Sequence, residues 1–253
     1  MTTSILFEGN QHRNVMLEGF EEGTSIPTNQ HVVIHDGHAA VLDPGGHKIY
    51  SRVLAETTTQ LKGGRLDYIL LSHQDPDIVA AVNGWLMTTD ATAYAPSLWV
   101  RFIPHFGLDR LVQERLKPVP DGGMRLALGG SELWLLPAHF LHSPGNFQVY
   151  DPVSKILYSG DLGASVGVEG EVTDLTAHIP AMEGFHRRYM AGNGALRAWA
   201  NMARKLDIET IAPQHGGFWR GKENVHRFID WCAELRCGLD LLPESFEVPP
   251  PRS

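Results

Sequence analysis

The chain has little of several things that would settle its class at once. Only two of its 253 residues are cysteine, too few for a disulfide framework. Lys and Arg number 21 against 29 Asp and Glu, a formal charge of −8. That acidic balance, with no dense Lys/Arg run, excludes the basic stripe of a nucleic-acid binder. No apolar run approaches the ~20 residues of a membrane helix. The opening Met1-Thr2-Thr3-Ser4-Ile5-Leu6 has no basic segment followed by a long apolar one, so no signal peptide is expected. Phosphate-loop motifs, solenoid-period repeats and low-complexity tracts are missing too. These absences lead to the expectation of a cytoplasmic, reducing-compartment protein with neither membrane nor nucleic acid as partner.

What is present points to a folded globular protein. Hydrophobic residues make up 43%, enough for a sizeable core, which excludes wholesale disorder. The length suits one large α/β domain. The unusual number is 13 histidines, and they direct the search.

Periodicity supplies the outline. Val15-Met16-Leu17, 31–34 and 39–42 read as strands, with Asp36-Gly37 as a hairpin turn. Residues 48–61 read as a helix, 66–71 as a buried strand, and 77–88 as a helix carrying Ile78, Val82, Trp85 and Leu86 on one face. Short strands follow near 91–95, 116–119, 124–128 and 131–136. Residues 147–150 and 156–159 form a hairpin around Asp151-Pro152. The stretch 183–206 is largely helical, interrupted at Gly192-Asn193-Gly194. A strand at 208–212 and a helix at 223–237, with Val225, Phe228, Ile229, Cys232 and Leu235 on one stripe, complete the pattern. No linker divides the chain, which predicts one domain over 1–247 and an extended Pro-rich tail at 248–253. Strands with helices spread among them imply an α/β fold of two mixed sheets covered by helices.

The sharpest local feature is Ser72-His73-Gln74-Asp75-Pro76-Asp77, which sets three potential ligands at alternate positions after a buried strand. Asp75 has a second reading, as a helix N-cap with Pro76 at the first helical position. Three later segments repeat the theme of a His or Asp where a strand meets a Gly/Pro-containing loop. They are Leu141-His142-Ser143-Pro144-Gly145-Asn146, Tyr158-Ser159-Gly160-Asp161 and Ile211-Ala212-Pro213-Gln214-His215-Gly216.

Taken in this order, the four segments resemble the metallo-β-lactamase superfamily, whose pattern is H-x-H-x-D-H followed by His, Asp and His. They are more similar to the diiron domain of flavodiiron proteins, with H-x-E-x-D-H, and to stand-alone oxygen-binding diiron proteins. The segment from Ile211 to Arg220 resembles that family's I-A-P-S-H-G-x-x-W-R, and Arg187-Arg188-Tyr189 resembles a segment that precedes it. The resemblance spans roughly residues 5 to 235. It implies a metallo-β-lactamase-like αββα sandwich. It also implies a first metal held by His73, Asp75 and His142, a second held by Asp77 and His215, and Asp161 bridging them. Three carboxylates with three imidazoles make an oxygen-rich donor set that favours iron over zinc. The implied cofactor is two iron ions with a bridging water, hydroxide or oxygen species.

Two positions depart from the family pattern. The family's Glu is Asp75, one methylene shorter, and its final motif His is Ile78, which cannot coordinate. His139 and His178 are conceivable substitutes. The resemblance further implies dioxygen or NO as ligand, a homodimer, and Tyr189 as a hydrogen-bond donor near the metals. Residue Tyr189 also reads as an ordinary amphipathic-helix position. The chain holds no flavodoxin domain of ~150 residues, so no FMN is expected in it. An external donor of flavodoxin or rubredoxin type would make it an O2 or NO reductase. Without one it would be an oxygen sensor or carrier.

Two rival readings stand beside this one. The first is a superfamily hydrolase acting on an ester, thioester or phosphodiester through a metal-activated water. The second, resting on Ile78, is a degenerate fold serving as an interaction module. Gly163-Ala164-Ser165-Val166-Gly167 matches G-x-S-x-G, but without the strand–turn–helix context of a nucleophile elbow. Cys232 reads as core and Cys237 as a helix-end residue, while Arg197, Arg204 and Lys205 read as a solvated helix face.

Overall fold

In β3 (Gln30–His35) and β4 (His38–Leu42) the side chains alternate between two cores. Val32 and Val41 enter one cluster while Val33, Ala40 and Leu42 enter another, as the two-residue period of a strand requires. The turn between them places Asp36 at φ 47° and Gly37 at φ 78°. Positive φ at both central residues matches the twist of the flanking strands. The computed structural model describes residues 2–21, 25–242 and 247–251.

Two more N-terminal strands, β1 (Thr2–Gly9) and β2 (His12–Glu18), pair antiparallel with this hairpin. On the other side β5 (Arg65–Leu70), β6 (Thr92–Pro96) and β7 (Leu116–Val119) add in parallel, giving a seven-stranded sheet in sequential order. Its outer face is covered by α1 (Tyr50–Leu61), α2 (Pro76–Val79) and α3 (Val82–Thr88).

The second sheet has six strands, β8 (Met124–Leu128), β9 (Ser131–Pro137), β10 (Phe147–Asp151), β11 (Ile156–Gly160), β12 (Thr210–Pro213) and β13 (Trp219–Arg220). Only β11 and β12 run parallel in it. Three further helices, α4 (Leu175–Tyr189), α5 (Asn193–Ala203) and α6 (Lys222–Glu234), cover its outer face. Ile156 and Tyr158 face the first sheet while Leu157 faces these helices. The result is helix, sheet, sheet and helix in four layers, with a core at each of the three junctions.

Trp85 of α3 is fully buried beneath the first sheet, its ring 5.8 Å from that of Tyr50. Trp85→Ala is expected to cost about 3–5 kcal/mol, the usual range for emptying a large aromatic site. Urea unfolding reads this directly, and a loss below about 1 kcal/mol would contradict so buried a site.

Several elements differ from the periodicity reading. The expected single helix over 77–88 is two short helices, because Ala81 leaves helical geometry at φ −93° and ψ 2°. Alanine has no side-chain preference that would mark such a bend. α4 starts at Leu175, not near 183. The Asp174 carboxylate caps it, accepting from the backbone N–H groups of Thr176 and Ala177. Pro180 and Gly184 inside this helix conceal it from propensity arguments. The last helix ends at Glu234, and a 3₁₀ turn over Gly238–Leu241 follows. β1 and the two-residue β13 have no counterpart in the sequence reading. Residues 248–251 of the tail have no regular structure, and Arg252 and Ser253 lie outside the described residues. No helix among the described residues is long and apolar enough to cross a membrane.

Candidate metal centre

The apolar run of β5 continues through Leu71 and stops where the backbone N–H of Ser72 donates to Asp43 Oδ1 at 2.8 Å. That bond fixes the turn that presents His73, whose Nδ1 meets Ser72 Oγ at 2.9 Å. Asp75 occupies the N-cap position of α2 in extended backbone conformation, and Pro76 opens the helix. Yet the Asp75 side chain makes no capping bond. Its Oδ2 instead lies 3.6 Å from His73 Nε2 and 3.4 Å from His142 Nε2.

Three other strand ends deliver the remaining groups. His142 sits in the turn before β10. Asp161 follows Gly160 at the end of β11, where Gly160 takes φ 57°. The two Asp161 oxygens divide between partners. Oδ2 is 2.9 Å from His142 Nε2 and 3.6 Å from His73 Nε2, while Oδ1 is 3.5 Å from His215 Nε2. His215 follows β12, and its Nδ1 donates to the Pro27 carbonyl at 2.7 Å, leaving Nε2 to face the cluster. Asp77 Oδ2 is 3.4 Å from that same Nε2. All six residues singled out in the sequence therefore meet in one place.

Electrostatics follow from packing three carboxylates among three imidazoles. Burial alone would lower the His73 pKa, but Asp161 and Asp75 raise it well above its ordinary value. Burial opposes a charged His142 too, and its hydrogen bonds to the Asp161 and Asp75 carboxylates override it, lifting the imidazole to about 9. Asp161 is pulled the other way: burial would raise it, and His73 and His142 hold it well below the usual carboxylate range. Asp77 is raised, by burial and then by Asp161 and Asp75, against the pull of His215.

These features fit a metal pair. One ligand atom each from His73, Asp75, His142 and Asp161 lies within 4.8 Å of the others. Asp161 Oδ1 is buried without a hydrogen-bond partner, a costly state for a carboxylate oxygen unless something positive meets it. The outer nitrogens of His73 and His215 are engaged by second partners, the usual way a protein fixes the ring of a ligating histidine.

The cluster opens into a cavity of about 600 Å³. Its walls include Ile26, Ile49, Pro76 and Ala80, with Phe185 and Tyr189 on the α4 side. The Phe185 and Tyr189 rings stack at 4.7 Å, and both pack T-shaped against the His142 ring. Tyr189 is 56% exposed, on the rim of the cavity. Glu21, His47 and Lys48 also line it, and the sequence reading missed all three. The signal for His47 was available: it follows Asp43-Pro44-Gly45-Gly46, a Gly/Pro break after a strand like the other ligand loops.

Other candidates lie elsewhere. Ile78 is fully buried in the core beneath the first sheet. His139 Nε2 is 2.8 Å from the Asp121 carbonyl, and His178 packs against the Trp219 ring. Neither lines the cavity. Ser165 is buried in a stretch without strand or helix, and its N–H donates to the His215 carbonyl. It forms no nucleophile elbow. Cys232 and Cys237 are buried free thiols, and burial raises both pKa values. Arg197, Arg204 and Lys205 are exposed.

Comparison with known proteins places this geometry. A family model described as ODP family beta lactamase matches residues 26–216. The solved structure titled "Peroxy diiron species of chemotaxis sensor ODP" is 39% identical, with 95% of this chain and 98% of that one covered and a TM-score of 0.85. The metal-soaked Flv1 flavodiiron core from Synechocystis sp. PCC6803 is 19% identical, covers 92% of this chain and 61% of its own, and has a TM-score of 0.75. Diflavin flavoprotein A 1 of Synechocystis sp. is 27% identical over 221 residues, 84% of this chain. The chain spans 37% of that relative's length. The two-sheet, helix-covered architecture is thus the metallo-β-lactamase-like fold expected from the resemblance.

Proposed function

Because the chain belongs to the ODP family of beta-lactamase proteins, we propose that it is a non-haem diiron protein that binds dioxygen and serves as an oxygen sensor. In this reading His73, Asp75 and His142 would hold the first iron, Asp77 and His215 the second, and Asp161 would be shared between them. The observation that carries this reading is the division of the Asp161 oxygens, one toward His73 and His142 and the other toward His215. A carboxylate at Asp75 supports iron over zinc, since it makes the donor set richer in hard oxygen ligands. The diiron chemotaxis sensor at 39% identity supports the same reading.

When bound, the two irons supply redox chemistry and open coordination for a diatomic ligand. The chain's own residues orient and shield. Ser72 and the Pro27 carbonyl fix the rings of His73 and His215. Phe185 and Tyr189 pack against the His142 ring from the α4 side. Tyr189, which lines the cavity, would supply a hydroxyl donor. Three carboxylates against two Fe(II) leave a residual charge of +1, matched by one hydroxide or other anion.

A diferrous pair carries two electrons, so sustained O2 or NO reduction would draw on a separate flavodoxin- or rubredoxin-type donor. Residues 1–247 are read as one domain without FMN, and the assembly as a cytoplasmic homodimer. The hydrolase alternative is disfavoured by the carboxylate at Asp75.

Anaerobic loading with Fe(II) followed by stepwise addition of dioxygen tests the proposal. The expected result is a charge-transfer band saturating near one dioxygen per two irons and fading when the gas is removed. Iron that binds but ignores dioxygen would return the hydrolase reading.

A further inference from the structure

Asp75 divides its carboxylate between the cluster and a support. Oδ2 faces the Nε2 atoms of His73 and His142. Oδ1 instead accepts from Gln74 Nε2 at 2.8 Å. The same amide is held at its other end, where Ser143 Oγ donates to Gln74 Oε1 at 2.5 Å. Ser143, 1% exposed, in turn accepts from the indole Nε1 of Trp99 at 2.9 Å.

The chemistry of these groups permits only one direction of donation. An indole N–H can only donate, and a serine hydroxyl has a single hydrogen. With Trp99 donating to it, Ser143 spends that hydrogen on Gln74. The amide must then present its oxygen to Ser143 and its nitrogen to Asp75. The indole of Trp99 therefore dictates the amide orientation of Gln74, and Gln74 dictates which Asp75 oxygen is left for the cluster.

The backbone is shaped for this approach. A Cβ on Gly145 would stand 3.0 Å from both Trp99 Nε1 and Leu98 Cβ, so only a glycine lets the loop after β6 close on Ser143 without displacement. The turn carrying Trp99 is held by its own N–H donating to the Pro96 carbonyl at 2.8 Å.

We infer that Trp99, Ser143 and Gln74 are positioning residues for Asp75: a one-way hydrogen-bond relay that fixes the oxygen presented to the first iron. The inference rests on the diiron reading above. Asp75 is a short carboxylate with few ways to reach the cluster, so loss of the relay frees it to rotate and weakens that site selectively. The first iron is affected because His73, Asp75, His142 and Asp161 form its set, while the His215–Asp77 pair lies outside the relay.

The test is an anaerobic Fe(II) titration of the full-length metal-free protein, followed by calorimetry and tryptophan emission, with a melting curve for each variant. Wild type should take up two irons in two resolvable events. Ser143→Ala and Gln74→Leu should weaken the tighter event by about tenfold to a hundredfold, the usual scale for removing an outer partner of a ligand. The weaker event should move by less than about threefold, and Ser143→Thr, which keeps the hydroxyl, should restore near-wild-type affinity. Trp99→Phe removes the terminal donor and should weaken the same event, which covers the case where Ser143→Ala lowers the melting temperature. Wild-type affinity in all three disrupted variants would overturn the relay and leave the diiron reading standing. Uptake of fewer than two irons by wild type would overturn that reading, and the relay with it.

Discussion

Asp161→Asn is expected to yield a protein that takes up at most one iron per chain and gives no dioxygen-dependent band. Asparagine matches aspartate in shape, so the buried packing at the end of β11 is kept. What is lost is a charge and one of the two oxygens that face separate histidines. Two cations held close together repel each other, and a shared carboxylate offsets that repulsion for both. Without it, the affinity for the second iron should fall by at least about a hundredfold. In the metal-free protein the same carboxylate is matched by charge on His73 and His142, both raised in pKa. Asp75 remains to pair with those rings in the variant, so the fold should survive. Iron analysis alongside far-UV circular dichroism separates the outcomes: two irons per chain in a folded Asp161→Asn protein would remove the bridging role.

The parts of this site that were legible in the sequence share one property. Each of His73, Asp161 and His215 follows a strand whose apolar run stops just before it, so the end of a pattern marks the start of the site. His142 has the weaker signal of a Pro/Gly turn before a strand. The Asp75 ambiguity, cap or ligand, could not be resolved from neighbours in sequence. It depends on imidazoles brought in from elsewhere, and those imidazoles take the carboxylate that a free helix end would use. The relay through Gln74, Ser143 and Trp99 was not legible at all, because it joins three loops 25 or more positions apart through side chains that carry no motif.

Secondary structure divides the same way. β3, β4 and β11 announce themselves by short continuous apolar runs, since each is buried on both faces between distinct cores. β1 lies at the sheet edge with much of its length exposed, and so shows no comparable pattern. α4 begins upstream of the start near 183 that periodicity predicts, since Pro180 and Gly184 break the propensity pattern. Tertiary burial of Leu175, His178, Met182 and His186 along one stripe overrides it.

That stripe leads to the second large effect, a loss of stability in mild acid. His186 is fully buried, its Nδ1–H donating to the Met182 carbonyl at 2.8 Å while Nε2 accepts from the Gly163 N–H at 2.8 Å. Both nitrogens are thus committed to the neutral ring. His31, also buried, faces the Pro213 carbonyl through Nε2, and its Nδ1 has no partner. Burial lowers both pKa values to about 4. The unfolded chain takes up these protons near pH 6.5, the folded chain only near 4. The stability they confer is therefore complete above about 6.5 and lost as pH falls toward 4. Each lost unit is worth about 1.4 kcal/mol, so each ring accounts for about 3 kcal/mol. Asp43, raised to about 6 by burial, gains its proton in the folded state within the same window and offsets part of the loss. The raised His73 and His142 carry protons in both states below 6.5 and leave the slope there unchanged. The metal-free protein should therefore lose on the order of 3 kcal/mol between pH 7 and pH 4.5, measured by urea unfolding at each pH. His186→Gln keeps a carbonyl acceptor for Gly163 without a titrating ring, and His31→Gln keeps a donor for Pro213. Either should flatten the acid limb, and an unchanged limb in both would contradict the assignment. The two rings also hold the ligand loops, since Gly163 lies two residues after Asp161 and Pro213 two before His215. Protonation that expels His186 loosens the loop of the Asp161 carboxylate, and protonation that expels His31 loosens that of the His215 imidazole, so iron should leave over the same pH range in which the metal-free fold weakens.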